Sequence, residues 1–137
     1  MRWSRNIILL AGLFVFAGIM HFVIPMSYLS IMPPWIPYPL EAVYVSGVAE
    51  IVGGLALLVP QLRRMAGISL IVLLIAVFPA NVQMLINAVS SNAPALHQAG
   101  LFLRLPLQPL LIVWVYRSTI PGPVARHEDR QPDRTIL

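Results

Sequence analysis

Cysteine and lysine are both absent from the 137 residues. The first absence removes disulfides, thiolate catalysis, iron–sulfur ligation and cysteine-type zinc sites together. Acidic residues are scarce, five against nine arginines, which leaves a formal charge of +4. Charged residues of either sign make up 10% of the chain, whereas a soluble domain carries about 25%. So little polar surface cannot coat a water-soluble globule, and a soluble enzyme is excluded. The chain also lacks a glycine-rich phosphate loop, a paired-histidine motif for haem or zinc, and a Ser/His/Asp set with a nucleophile elbow. No catalytic residue, no metal site and no covalently bound cofactor is therefore expected. The arginines are not interleaved with stacking aromatics, so nucleic-acid binding is not expected either.

What the chain does have is hydrocarbon: 58% apolar residues and a mean hydropathy of +0.81. Apolar runs occupy residues 6–23, 40–59, 66–88 and 101–116. Each approaches the ~17–25 residues that a bilayer-crossing helix needs, the last being short unless it begins a turn earlier. The reading is an all-α integral membrane four-helix bundle over residues 1–116, solvated by lipid. Residues 117–137, with Pro121, Pro123 and Pro132 among mixed charges, are expected to form a flexible tail. The stretch IPMSYLSIMPPWIPYP between the first two runs holds five prolines that forbid one continuous helix. Its Tyr28, Trp35 and Tyr38 suit the headgroup layer, so it is expected to be an interfacial loop. The N-terminal RWSR before an apolar run resembles a secretory leader, yet no small-x-small cleavage pattern follows, and the run is expected to be a true span.

The arginines sort by loop. Arg2 and Arg5 precede the first run, Arg63 and Arg64 separate the second and third, and Arg117, Arg126, Arg130 and Arg134 follow the fourth. The connections over 24–39 and 89–100 contain none. By the positive-inside rule both termini are cytoplasmic and the proline-rich connection is outside. The ninth arginine, Arg104, lies within the fourth run.

Polar residues inside lipid carry the functional signal. A carboxylate or guanidinium at mid-bilayer costs about 2.5 to 3.5 kcal/mol on insertion scales, so such groups turn inward and find partners. Glu50 is the strongest case. Its helical neighbours are Val43, Ser46, Gly47, Gly53, Gly54 and Leu57, a stripe of mostly small residues that permits close helix packing. Ala11, Gly12, Ala17 and Gly18 of the first run match it, so the first two spans are expected to pack together. Side chains lean towards the N-terminal end of their helix. Glu50 and Arg104 then reach outward and His21 and Asn81 reach inward, so that the four converge in the outer half of the bilayer. Gln108, one turn from Arg104, extends that polar stripe. Pro79 should kink the third span and free the carbonyl of Ile75, and Pro106 and Pro109 should loosen the fourth. Gln83 and Asn87 are expected to be capping or interfacial, Glu41 to sit at the start of the second span, and His97 to lie in a loop. Met20, Met26, Met32 and Met84 do not converge and are expected to be packing residues, not a copper site.

GIMHF, MPPWIPYP, YVSGVAEIVGGLALLVP, RRMAG, LIAVFPANVQM and RLPLQPLLIVWVY together resemble the DoxX-like family of small four-helix bacterial membrane proteins, over about residues 8–116. That resemblance implies the bacterial inner membrane and an association with membrane redox systems, because relatives include small subunits of a thiosulfate:quinone oxidoreductase and a methylamine-utilisation protein. Similar four-helix proteins in animals assist receptor assembly. The missing cysteine argues against a direct thiol redox role.

Two readings follow. In the first, an outer-half pocket lined by His21, Glu50, Asn81, Arg104 and Gln108 binds a small or amphipathic ligand, a quinone among the candidates, as in a non-catalytic subunit of a membrane oxidoreductase. In the second, the same residues only fix helix register, and the protein is an interaction or assembly factor. Partners are then the lipid bilayer and either another membrane protein or a second copy in a parallel homodimer; the arginine bias argues against an antiparallel one.

Overall fold

The computed structural model describes residues 4–120. The expected tail falls almost wholly outside them. The described residues form only helices: α1 (Arg5–Val23), α2 (Pro25–Leu29), α3 (Pro39–Leu57), α4 (Arg63–Ser90) and α5 (Ala95–Thr119). Four of these, α1, α3, α4 and α5, are long and apolar enough to cross a membrane.

Local chemistry sets the boundaries. Ser4 caps α1, its hydroxyl accepting from the amide of Ile7 at 3.4 Å. Pro25 opens α2 and Pro39 opens α3, each at a first-turn position where the missing amide proton costs nothing. The residue before Pro39, Tyr38, takes a left-handed conformation at φ 52°, which turns the chain into α3. Asn92 does the same at φ 50° between α4 and α5, a conformation that asparagine tolerates. Two expectations are corrected here. The proline-rich connection is not wholly irregular, since Pro25–Leu29 is helical. The fourth span begins at Ala95, not at 101, so His97 lies in α5 and is exposed. Pro94 caps that earlier start, and Leu96, His97 and Gln98 interrupt the apolar run without interrupting the helix.

Each spanning helix buries one stripe and gives the rest to lipid. In α1 the buried residues are Ile7, Leu10, Ala11, Phe14, Gly18 and His21, steps of three and four that keep to one face. Leu9, Phe16 and Val23 point outward, each about 60% exposed. Helix α1 packs on α3, α3 on α4 and α4 on α5, while α1 touches α5 lightly.

The α1–α3 contact follows from missing side chains. A methyl built on Gly18 would stand 2.6 Å from the carbonyl oxygen of Gly47, and one on Gly54 would stand 3.0 Å from that of Ala11. Gly53 instead receives Leu70 of α4, so the glycines of α3 serve two neighbours. Gly12, expected to join this seam, faces open space. The packed core of Ile7, Leu10, Ala11, Phe14, Leu57, Ala66, Leu70, Leu74 and Val115 fills one half of the bundle, at the end where α1 begins and α5 finishes. Past Phe14 and Leu74 the helices enclose space instead of side chains.

Candidate functional site

That space is a cavity of about 430 Å³, walled by all four spanning helices and roofed by residues of α2 and the connection after it. All five residues expected from the sequence line it: His21 from α1, Glu50 from α3, Asn81 from α4, and Arg104 and Gln108 from α5. They do not form a single bonded network.

Asn81 and Gln108 are committed to each other and to the backbone. The Asn81 amide donates to Gln108 Oε1 at 2.5 Å, and Gln108 Nε2 donates to the carbonyl of Leu74. Pro79 lies within α4 close to this point and has no amide proton to give to the carbonyl one turn before it. The sequence pointed to the carbonyl of Ile75, one helical turn before Pro79; the carbonyl that Gln108 reaches is that of Leu74. Gln108 is buried and joins α4 to α5 at this point.

Glu50 is different. It is 8% exposed, and its Oε2 has no hydrogen-bond partner. The ionisable side chain beside it is His21, whose Nδ1 lies 3.6 Å from that oxygen, beyond hydrogen-bonding distance. The same Nδ1 stands 2.9 Å from the carbonyl of Ala17, one turn back in α1. Since a carbonyl can only accept, the Nδ1 proton points there and Nε2 of the neutral ring carries the lone pair. Glu50 makes no ion pair with Arg104 among the described residues. Arg104 is exposed although it lines the cavity. With α5 beginning at Ala95, it sits nine residues into the helix, about 14 Å along the axis at 1.5 Å per residue, well beyond the first turn that a start at 101 implied.

Tyr28 was legible only as an interfacial aromatic, yet it belongs to the site. Its ring stacks on His21 with centroids 3.9 Å apart and planes 22° apart. Burial pushes its phenol above the ordinary tyrosine range, with Glu50 adding to the shift and Arg104 opposing it, so the hydroxyl stays neutral and able to donate. The missed signal was Pro25, which opens a short helix immediately after α1 and turns residue 28 back over the bundle. Ser46, noted only as a small neighbour of Glu50, adds a hydroxyl to the same wall.

Gln83 and Asn87 lie away from the cavity, as a pair. Gln83 Nε2 donates to Asn87 Oδ1 at 2.9 Å, and Asn87 donates to the carbonyl of Ser30 at 3.2 Å, tying α4 to the connection after α2. Glu41 stands in the first turn of α3. Among the described residues no three metal-type ligands come together. The cavity thus offers an apolar volume, an unpartnered carboxyl oxygen at its wall, a guanidinium, and a stacked His–Tyr pair.

Neither the curated proteins nor the solved structures contain a match to this chain. A family model does match, over residues 10–119, a range that includes α3, α4 and α5, α1 from Leu10 onward, and every residue of the cavity wall named above. The chain accordingly belongs to the family described as Domain of unknown function (DUF8561).

Proposed function

We propose that the cavity is a ligand site within the membrane, taking a small or amphipathic molecule whose polar head carries a carbonyl, hydroxyl or anionic oxygen. The observation that carries this reading is the Oε2 of Glu50, buried in the cavity wall with nothing to bond. A buried polar atom without a partner costs about 1 to 3 kcal/mol, and a guest that bonds it recovers that cost. Arg104 supplies a donor for an anionic or carbonyl oxygen, while His21 and Tyr28 present a flat apolar and polar edge to a ring. A quinone, held non-covalently, meets these requirements with its apolar tail and two carbonyls, which can only accept: one takes a hydrogen bond from Arg104 and the other from the Glu50 carboxyl in its protonated form. A supporting role in a membrane redox complex follows from that choice and from the resemblance to DoxX-like proteins, a kinship that belongs to this proposal.

The orientation in the proposal has both termini in the cytoplasm and the cavity in the outer half of a bacterial inner membrane, supported by the arginines at one end of the bundle. A membrane-protein partner or a parallel homodimer belongs to the same proposal. A second reading, an assembly factor whose polar cluster is structural, draws on the Asn81–Gln108–Leu74 chain, which is complete without any guest. It leaves Glu50 without a role.

Glu50→Gln separates the two readings. A short-tail benzoquinone and a medium-chain fatty acid serve as probes, and the change in melting temperature of the purified protein is the readout. The ligand reading expects stabilisation by one of the probes that is lost in Glu50→Gln while folding is retained. An identical shift in both proteins, or none in either, contradicts it.

A further inference from the structure

The opposite end of the bundle carries an opening that the proposed ligand site does not use. A cleft of about 330 Å³ lies between the α3–α4 connection and the last turns of α5, lined by Pro60, Arg63, Arg64, Arg117, Ser118 and Thr119. Half of this lining is arginine, and among the described residues no acid pairs with any of the three. Arg63 is anchored to the preceding helix. Its Nε donates to the carbonyl of Leu57 at 3.0 Å and so closes the end of α3. Its Nη2 is buried and has no acceptor among the described residues. A guanidinium nitrogen removed from water without an acceptor is unfavourable, and two more guanidinium groups beside it compound the repulsion. Helix α4 starts at Arg63 with Leu62 in the cap position, no side-chain cap and no acid in the first turn. The positive end of the helix dipole therefore adds to the same field.

One chemistry offsets this concentration of positive charge: a compact, multiply oxygenated anion. We propose that this cleft binds a phosphate group. Guanidinium forks match phosphate oxygens in a bidentate manner that lysine cannot reproduce, and the chain has no lysine at all. Thr119 does not compete for the anion, because its hydroxyl donates to the carbonyl of Val115 at 2.8 Å; Ser118 is the one hydroxyl in the lining besides it. The phosphate can come from an anionic phospholipid at this face of the bilayer, where basic pockets between helices accept headgroups, or from soluble phosphate.

The test uses the full chain in maltoside micelles, which contain no phosphate. Phosphatidylglycerol is added in one arm and read by native mass spectrometry; inorganic phosphate is added in the other and read by thermal shift. The variant is Arg64→Gln with Arg117→Gln, leaving Arg63 to close α3, and Arg5→Gln at the same end of the bundle is the control. Removing two charge-assisted contacts is expected to weaken binding about tenfold or more. The Arg5→Gln control should bind as the parent does, and without phosphate the double variant should melt no lower than the parent, since it has lost mutual repulsion in the empty cleft. Selective retention of phosphatidylglycerol identifies the headgroup as the source, and a response to inorganic phosphate alone identifies the soluble ion. Equal binding by the double variant and the parent, or no binding of either probe, overturns the proposal.

Discussion

The ring of Tyr28 lies on the imidazole of His21, 3.9 Å between centroids and 22° between planes. This stack joins two helices that the chain keeps apart by a single residue, Ile24. It places the short α2 over the mouth of the cavity and holds His21 in the orientation in which Nδ1 faces the carbonyl of Ala17.

Tyr28→Leu should therefore lower stability by about 0.5 to 1.5 kcal/mol, the range for an aromatic pair, and leave the cavity less well closed. Tyr28→Phe keeps the ring and should retain most of the stability, while losing the hydroxyl of a residue that lines the cavity. Thermal melts of the two variants in the same detergent separate the contribution of the ring from that of the hydroxyl. Equal melting of Tyr28→Leu and the parent would show that the stack contributes nothing.

How much of this was readable beforehand varies by residue. The spans were legible because lipid imposes a length and a composition on any helix that crosses it, and the polar residues were legible because lipid penalises them. Their pairing was not. Whether Glu50 meets Arg104 or His21 depends on how α5 is rotated about its axis and how deep Arg104 lies along it, and the depth depends on a start at Ala95 hidden by His97 and Gln98. Tyr28 was missed because an aromatic beside prolines reads equally well as an interfacial anchor. Gly12 was wrongly placed in the α1–α3 seam because it is small, like Gly18, yet lies on the other face of α1.

Those two glycines give a paired prediction. Gly18→Ala drives a methyl against the backbone of Gly47, where no side chain can rotate away, and should destabilise by about 1 to 3 kcal/mol through overpacking. Gly12→Ala meets nothing and should be neutral or stabilising by a fraction of that, since alanine favours the helix by about 0.5 to 1 kcal/mol. Comparable losses from both would place the seam elsewhere.

Gln108→Leu removes both hydrogen bonds that join α5 to α4 beside Pro79. The expected loss is about 0.6 to 2 kcal/mol, the scale of side-chain hydrogen bonds between membrane helices. Combining it with Asn81→Leu should cost less than the sum of the two, because each residue loses the same partner. Full additivity, measured in the same unfolding assay, would mean that Asn81 and Gln108 act independently.

The absence of cysteine makes orientation directly measurable. Single substitutions Ser30→Cys, in the connection after α2, and Gln61→Cys, between α3 and α4, are both at exposed positions. In intact spheroplasts an impermeant maleimide should label the first and spare the second until the membrane is opened. The reverse pattern would invert the proposed topology.

The central claim is that the free oxygen of Glu50 awaits a guest, and infrared difference spectroscopy reads that carboxyl without an intermediary. On adding the short-tail benzoquinone to the parent protein in lipid, a shift in a carboxyl or carboxylate band is expected, absent from Glu50→Gln and retained in the control Glu41→Gln. No band change in the parent, or the same change in Glu50→Gln, would contradict the account.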